Sequence, residues 1–589
     1  MNEFVMKTKP FKRALRLALL ASSNLDLLEK PLAARLAERG FSLEIWNPGF
    51  NQYRQAILDT SSGLYQEKPD AILLFLDAAD LFAGCLARPY DNLIEEIPAI
   101  VEAARADVFS LVETIATRLP SATVFLNTLS SSQISGIYHG LEYNSGISFR
   151  QIVASYNAGL RELARNSAHA VVVDVESLIE AAGAERWHDP RLWYLGRIRL
   201  SAYAHTLLAS EYTSFIAAWQ GDLRKCIVLD LDNTLWGGII GEDGMTGIQL
   251  GQEGIGLAFV EFQRELLHLH QKGILLAISS KNNPEDAYEV IRKHPAMVLR
   301  ERHFAAFQIN WNDKAENIRE IARRINIGVD SLVFIDDSPV ERKRVRDAIP
   351  EAVVPEWPED PCDYKRALWR VAGEYFLKFD VTEDDRRRGE MYHARTERER
   401  LAESAGNLEE FYRSLQMKLT IATADSETLP RISQLTQKTN QFNLTARRYT
   451  ESELAAISAD EGWSVYWLKL EDRFGKDGIV GVLILRRESV ERWHIDTFLL
   501  SCRVIGRTVE EALLGCAVRD LKELGATCIT GEYIPTGRNG MVAALYDKLD
   551  FTRIDSDENR TRWALDLNQK SIVAPNWFEI TYKERITAR

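Results

Sequence analysis

The sequence predicts an α/β protein of three parts: two parallel sheets covered by helices, then an α+β domain around a largely antiparallel sheet. Three observations carry this expectation. Short apolar runs alternate with helical patterns from Leu15 to about Gly221, a second such series begins at Lys225, and beyond about Asn407 strands follow one another with fewer helices between them. A chain of 589 residues, 46% hydrophobic and 27% charged, is also longer than one core usually organises. The expected parts are residues 1–220, 221–375 and 376–589.

In the first part the strands read LRLALLAS, FSLEIW, DAILLFL, SATVFLN and AVVVDV; in the second, CIVLDLD, GILLAISS, FAAFQI and SLVFIDD, with amphipathic helices between. From Glu356 to Asn407 the character changes, and the run TEDDRRRGEMYHARTERER reads as a solvated linker. After it, MKLTIATA, SVYWLKLED, IVGVLILRR, RWHIDTFLLS and ATCITGEYI are strands, with helices expected at residues 429–437, 508–524 and 540–548.

Composition excludes several classes. A formal net charge of −13 leaves no basic excess for neutralising nucleic-acid phosphates. The six cysteines lack CxxC or Cys/His spacing, so neither a disulfide framework nor a zinc site is expected. No apolar run approaches the roughly 18 to 20 residues of a membrane span, and Leu15 to Ala21 lacks the cleavage-like end of a leader. The expectation is a cytoplasmic protein with no membrane partner.

The chemistry concentrates where CIVL runs into Asp230-Leu231-Asp232-Asn233-Thr234. Ligands of open α/β sheets bind beyond the carboxyl ends of the strands, and residues two apart on a strand share a face, so Asp230 and Asp232 can meet one reacting group. Two carboxylates this close need a cation or a shared proton. Further along come Ser280 in AISSKN, Lys314 in NWNDKAENI and Asp336-Asp337 in VFIDDSP. Together they supply a carboxylate nucleophile, a general acid, a hydroxyl and an ammonium for phosphate oxygens, and acidic ligands for Mg²⁺. Ser279 is an alternative to Ser280, and Lys281 to Lys314.

This series resembles the four motifs of the haloacid dehalogenase superfamily. The resemblance implies that Asp230 attacks phosphorus, that Asp232 protonates the leaving oxygen, and that Asn233 and Thr234 join Ser280 and Lys314 around the phosphate. Mg²⁺ would sit on Asp230, the backbone carbonyl of Asp232, and Asp336 or Asp337. The following residues, LWGGIIGEDG, together with SKNNP, FIDDSPVER, QKTNQFNLTARRY, FLLSCRVIGR and IPTGRNG, resemble the narrower FkbH-like family. That family joins such a domain to an acyltransferase-like one, often after an SGNH hydrolase-like domain of flavodoxin type. Its implied reaction takes glyceryl from 1,3-bisphosphoglycerate, removes phosphate and loads the acyl group onto an acyl carrier protein for polyketide assembly.

In the third part, Arg503-x-x-Gly506-x-Thr508 approximates the pyrophosphate loop of the GNAT acyltransferase fold, with Thr508 where Gly or Ala is usual. Backbone N–H groups of such a loop bind phosphate, here the phosphopantetheine of a carrier protein or coenzyme A, with Arg507 and Asn539 as further contacts. Cys502 precedes the loop beside Arg503 and Arg507, a setting that favours thiolate, and is expected to carry the acyl group, with a small buried hydrophobe as the alternative. Tyr546 resembles the GNAT tyrosine that protonates a leaving thiolate, with packing as the alternative. Asn440, Gln441 and Asn443 are candidates for acyl or pantetheine contacts, with loop capping as theirs. His494 is too far along the strand to pair with Cys502.

The first part offers Ala21-Ser22-Ser23-Asn24 where an SGNH hydrolase has its nucleophile turn, but no Asp-x-x-His pair near His188 or His205. A degenerate domain without hydrolase activity is expected. The alternatives to the FkbH-like reaction are a Mg²⁺-dependent phosphatase without acyl transfer and an acyl-CoA-dependent N-acyltransferase.

Overall fold

Three sheets, of five, four and eight strands, organise the described residues. A computed structural model describes residues 13–87, 94–132, 140–144, 148–167, 169–379, 381, 398, 401, 406–501, 503–536, 539–557 and 559–583.

The first sheet contains β1 (Arg13–Ala21), β2 (Phe41–Trp46), β3 (Ala71–Phe75), β4 (Thr123–Asn127) and β5 (Ala170–Val173), in the order β2-β1-β3-β4-β5, with every pairing parallel. Alternate side chains feed two cores. Ala18, Leu20, Ile72 and Leu74 join the core that includes Val108, Leu111 and Ile115, while Leu17, Leu19, Leu73 and Phe75 join the one with Leu28, Leu32 and Leu208. The period-2 alternation of a strand thus buries both faces, which is why AILLF reads as a continuous apolar run.

The second sheet contains β6 (Cys226–Leu229), β7 (Leu275–Ser280), β8 (Phe304–Ile309) and β9 (Leu332–Ile335), in the order β8-β7-β6-β9, with β7 and β8 parallel. From β6 the chain proceeds outward to β7 and β8, then returns to the other side of β6 as β9. The carboxyl ends of β6 and β9 therefore flank the topological switch point, where open α/β sheets leave a crevice.

The third sheet contains β10 (Met417–Thr423), β11 (Trp463–Asp472), β12 (Gly475–Arg487), β13 (Arg492–Leu500), β14 (Cys528–Tyr533), β15 (Thr552–Ser556), β16 (Thr561–Asp566) and β17 (Phe578–Lys583). Their order is β15-β16-β14-β13-β12-β11-β10-β17, antiparallel except for β13–β14 and β10–β17. Helix Val509–Glu523 buries Leu513, Ala517 and Leu521 in one core; helices Leu429–Lys438 and Glu451–Ala459 bury Ile432, Leu435 and Leu454 in another. The single helix expected over 540–548 is instead a 3₁₀ turn, Gly540–Val542, and a short helix, Leu545–Lys548.

The chain divides into two compact units: 1–226 with 330–337 and 349–380, and 227–329 with 338–348 and 381–589. Among the described residues, no helix is long and apolar enough to cross a membrane.

Candidate active site at the switch point

Asp230 leaves the end of β6, and Asp336 and Asp337 leave the end of β9. One carboxylate oxygen from each lies within 4.8 Å of the other two. Asp230 and Asp336 are buried and Asp337 half-buried. Lys314 brings its Nζ to 2.7 Å from Asp230 Oδ2, with side chains only 3% and 11% exposed. Three gathered carboxylates beside one ammonium carry excess negative charge in a poorly solvated place, a set that a cation completes. Asp230 Oδ1 is moreover buried with no hydrogen-bond partner in the protein. Hard carboxylate oxygens with one buried acceptor unpaired fit Mg²⁺.

Lys314 occupies the first residue of helix Lys314–Arg324, where a positive charge opposes the helix dipole. Asp313 caps that helix, accepting from Ala315 N and Glu316 N at 2.8 and 3.3 Å. The capping turn aims the lysine at Asp230, and that ion pair offsets the unfavourable end. Lys281 is engaged elsewhere, 2.7 Å from Glu341 Oε1.

Asp232 does not add its carboxylate to the acidic cluster. Its Oδ1 accepts from Trp236 Nε1 at 2.9 Å and Ile240 N at 3.2 Å, and its Oδ2 accepts from Asn282 Nδ2 at 2.9 Å. Of the expected Mg²⁺ ligands, Asp232 is therefore left only its backbone carbonyl. Burial is the largest influence on this carboxyl and, helped by Asp230, raises its pKa against the three donors. Asn282 also donates to Ser280 Oγ at 3.2 Å, so Ser280 stands on the side of Asp232. Ser279 Oγ, the other choice, is buried without a hydrogen-bond partner. Asn282 was legible as part of SKNNP, but only the fold shows that it joins motifs 50 residues apart.

The Asn233 side chain is engaged within its own loop. Asn233 has a positive φ of 54° and accepts from Gly238 N at 2.9 Å through Oδ1; Thr234 is completely buried.

The C-terminal loop differs from expectation in four respects. Arg507 turns inward: Nη1 lies 3.2 Å from Asp472 and 3.1 Å from Asp477, and Nη2 donates to Arg503 O at 3.0 Å. Thr508 has a φ of 58°, and its hydroxyl donates to Arg507 O and accepts from Trp577 Nε1. The next helix opens with Glu510 and Glu511, whose charges disfavour an anion at that end. Asn539 is fully buried and saturated, accepting from Thr536 N at 2.7 Å and donating to Asn443 O and Ile534 O, each at 2.9 Å. The side chains of Arg507, Thr508 and Asn539 are thus engaged within the protein. Arg503 is half-buried and donates to Asp477 O at 3.3 Å; Gly506, with a φ of 80°, accepts from Tyr412 Oη at 2.8 Å. Cys502 lies outside the described residues.

Asn539 secures a gap in the sheet. β13 and β14 pair only from Arg492–Cys528 to Ile495–Gly531 and then part. Residues 442–445 enter between them: Leu444 N donates to Phe498 O, Leu500 N to Phe442 O, Thr445 Oγ1 to Asp496 O and Ile534 N to Leu444 O. Asn443 is a buried member of this insert, and Asn440 is bonded to Arg448. Tyr546 is fully buried against Phe551 and Trp563, and a Cβ on Gly531 would lie 2.4 Å from its hydroxyl, so it packs under the sheet.

At the carboxyl edge of the first sheet, Ser22 Oγ donates to Asp80 at 2.9 Å and Ser23 Oγ to Asp77 at 2.8 Å, and Arg199 pairs with both carboxylates. His188 Nε2 is 3.4 Å from Ser132 Oγ, and burial lowers its pKa to about 4. His205 bonds Ser201 O through Nδ1. The cavity bounded by Asp77, Asn127, Ser132 and His188 measures about 20 Å³, room for a water molecule and not a substrate. Burial raises the Asp77 pKa to about 6, against the opposing pull of Arg199. A raised carboxyl pKa means the folded state holds a proton that the unfolded state has lost, so this group lowers stability as pH rises from about 4 to 6. Asp77→Asn should therefore gain on the wild type by up to about 3 kcal/mol between pH 4 and 7, measured by urea melts at each pH. A constant difference across that range would contradict this.

A mixed α/β chain with an acidic cluster and a lysine at a sheet switch point is the class these features define. Residues 16–217 match the family model for the FkbH N-terminal domain. The crystal structure of the N-terminal part of protein BF1531 from Bacteroides fragilis, containing a phosphatase domain complexed with Mg, is 33% identical with a TM-score of 0.55, over 61% of this chain and 93% of that one. The chain belongs to the FkbH-like family. Two further matches are the ribosomal-protein-S18-alanine N-acetyltransferase of Escherichia coli (16% identity, TM-score 0.21, 27% of this chain, 97% of that one) and Ard1 of Thermoplasma volcanium (14%, 0.21, 25% and 97%). No curated protein matches.

Proposed function

We propose that the chain is a cytoplasmic enzyme that takes glyceryl from 1,3-bisphosphoglycerate, removes phosphate at Asp230 and loads the acyl group onto the phosphopantetheine of an acyl carrier protein for polyketide-type biosynthesis. The observation that carries the phosphate half is the Asp230–Lys314 pair beside Asp336 and Asp337. The family match and the Mg-bound phosphatase-domain neighbour support the same reading.

Asp230 attacks phosphorus, the bond from phosphorus to the leaving oxygen breaks, and Asp232 gives that oxygen its proton. Water then attacks the aspartyl-phosphate while Asp232 takes back a proton, releasing phosphate and restoring Asp230. Lys314 and Ser280 hold the phosphoryl oxygens, and Asn282 keeps Asp232 turned towards them. Mg²⁺, held by Asp230, Asp336, Asp337 and the Asp232 carbonyl, would supply charge stabilisation on the phosphoryl group. In the acyl half, Cys502 displaces the acyl phosphate to form a thioester, which the pantetheine thiol then takes over. The SGNH-like first domain and the GNAT-like third one complete this proposal, the first as a non-hydrolytic docking domain.

One set of observations favours a second reading, a Mg²⁺-dependent phosphatase without acyl transfer: Arg507 and Asn539 are consumed internally, and residues 442–445 fill the gap beside β13. Incubation with Mg²⁺, 1,3-bisphosphoglycerate and pantetheinylated carrier, followed by intact mass analysis, separates the two. The transferase predicts glyceryl on the carrier, abolished by Cys502→Ala. Phosphate release with an unloaded carrier favours the phosphatase.

A further inference from the structure

Asp232, the acid and base of the proposed phosphoryl transfer, is held by a large side chain outside the four phosphate motifs. Trp236 is completely buried, and its indole Nε1 donates to Asp232 Oδ1 at 2.9 Å. The backbone on either side fixes the ring. Leu235 N donates to Leu231 O at 2.7 Å, and Leu235 O accepts from the buried Gln263 Nε2 at 2.8 Å. Gly237 exchanges two backbone hydrogen bonds with Gln249, at 3.1 and 2.7 Å, and a Cβ added to it would lie 2.9 Å from Phe259. The indole therefore has little room to turn away from the carboxylate.

Each carboxylate oxygen offers two lone pairs. On Asp232 Oδ1 both are met by donors, the indole N–H of Trp236 and the backbone N–H of Ile240 at 3.2 Å. Oδ2 accepts one bond, from Asn282 Nδ2 at 2.9 Å, which leaves a lone pair for a proton. A proton on Oδ1 would instead face an N–H donor. Asn282 also donates to Ser280 Oγ at 3.2 Å, so Oδ2 is the oxygen on the side of the hydroxyl proposed to hold phosphate. A buried indole N–H generally finds an acceptor, and a backbone carbonyl would serve packing equally well. Here the acceptor is the carboxylate that must trade a proton.

We propose that Trp236 is a positioning residue for proton transfer: with Ile240 N it occupies Asp232 Oδ1, which places the transferable proton on Oδ2 and holds that oxygen towards the leaving group. The proposal rests on phosphoryl transfer at Asp230 with Asp232 as acid and base, and deepens it to the atom that moves the proton. In the first step an Asp230 oxygen bonds phosphorus, the ester bond breaks, and the leaving oxygen takes the proton from Oδ2. In the second, water bonds phosphorus and gives a proton to Oδ2, while the bond from Asp230 to phosphorus breaks and phosphate departs. Without the indole the carboxyl group can turn and its proton is shared between both oxygens. An alkoxide leaving group needs that proton in the first step, whereas a nitrophenolate leaves as a stabilised anion and depends on Asp232 only in the second.

The test uses the full chain with Mg²⁺, methyl phosphate and p-nitrophenyl phosphate. Trp236→Phe should lower kcat/KM for methyl phosphate about 30-fold and change that for p-nitrophenyl phosphate by less than about threefold. With the aryl ester, kcat and KM should fall together, and rapid mixing should show a burst of about one nitrophenolate per enzyme as the aspartyl-phosphate accumulates. Benzothienylalanine in place of Trp236, which keeps the ring shape and lacks the N–H, should reproduce this pattern without disturbing the packing. In an Asp232→Asn background, Trp236→Phe should have no further effect on methyl phosphate. Equal losses for both esters, or a loss that persists with Asp232→Asn, would make Trp236 a support of the loop, and no loss for either would leave it without a role; each result overturns the proposal. Borohydride trapping separates the two readings. A wild type that forms no adduct at Asp230 from either ester refutes the parent reaction and the proposal with it, whereas an adduct without the leaving-group split refutes the proposal alone.

Discussion

Asp230→Asn should reduce Mg²⁺-dependent phosphate release by about 10⁴-fold or more, equivalent to roughly 5.5 kcal/mol of lost transition-state stabilisation. The substitution keeps the shape of the side chain but removes the anionic oxygen that attacks phosphorus. It also removes one of three clustered carboxylates and leaves the buried Lys314 ammonium without its 2.7 Å partner. Mg²⁺ affinity should therefore fall as well, which calorimetry reads separately from turnover. Lys314 retains the neighbourhood of Asp336 and Asp337, so the fold should survive, and thermal melts check this. Residual activity above about a hundredth of the wild type would place the nucleophile elsewhere.

Arg507→Ala should destabilise the chain by about 3–5 kcal/mol, because removing one member of a buried ion network leaves the others uncompensated. Asp472 and Asp477 have side chains only 0% and 5% exposed, and Arg507 stands between them. Arg398 is the second cation, 2.6 Å from Asp472 and 3.7 Å from Asp477. Without Arg507 a single guanidinium faces two buried carboxylates. Burial pulls the Arg507 pKa down while both carboxylates oppose it, as expected of a cation held by its partners. Arg507→Lys should recover only part of the loss, since one ammonium cannot reproduce the fork that reaches Asp472, Asp477 and Arg503 O together. Urea melts measure this. Unchanged stability with weakened carrier affinity would restore Arg507 to the phosphate role suggested by its loop.

The strands of the first two sheets were legible because each is a buried apolar run bounded by turn residues, as in AILLF and CIVL. The last three strands of the third sheet were not. TRIDS is exposed along its whole length, and TRWALD and FEITYK place charged or polar residues on their open faces, so little apolar periodicity marks them. At the switch point the order of motifs identified Asp230, Lys314, Asp336 and Asp337, since such a sheet must bring the ends of neighbouring strands together. Which hydroxyl of Ser279-Ser280 faces Asp232 depended on strand parity, and the part played by Asn282 on a contact across 50 residues. The C-terminal loop was less legible for a different reason. Its arginine, threonine and asparagine have the chemistry of a phosphate site, but the partners that claim Arg507, Asp472 and Asp477, come from the preceding hairpin and have no motif of their own.

The central claim is that Asp230 becomes phosphorylated, and the most direct measurement is to trap that species. The chain is mixed with Mg²⁺ and a phosphate donor, quenched, reduced with borohydride and mapped by peptide mass spectrometry. Reduction of an aspartyl-phosphate converts the residue to homoserine, and the account predicts this change at Asp230, absent without Mg²⁺ and absent in Asp230→Asn. Phosphate release accompanied by modification at another residue, or by none, would contradict it.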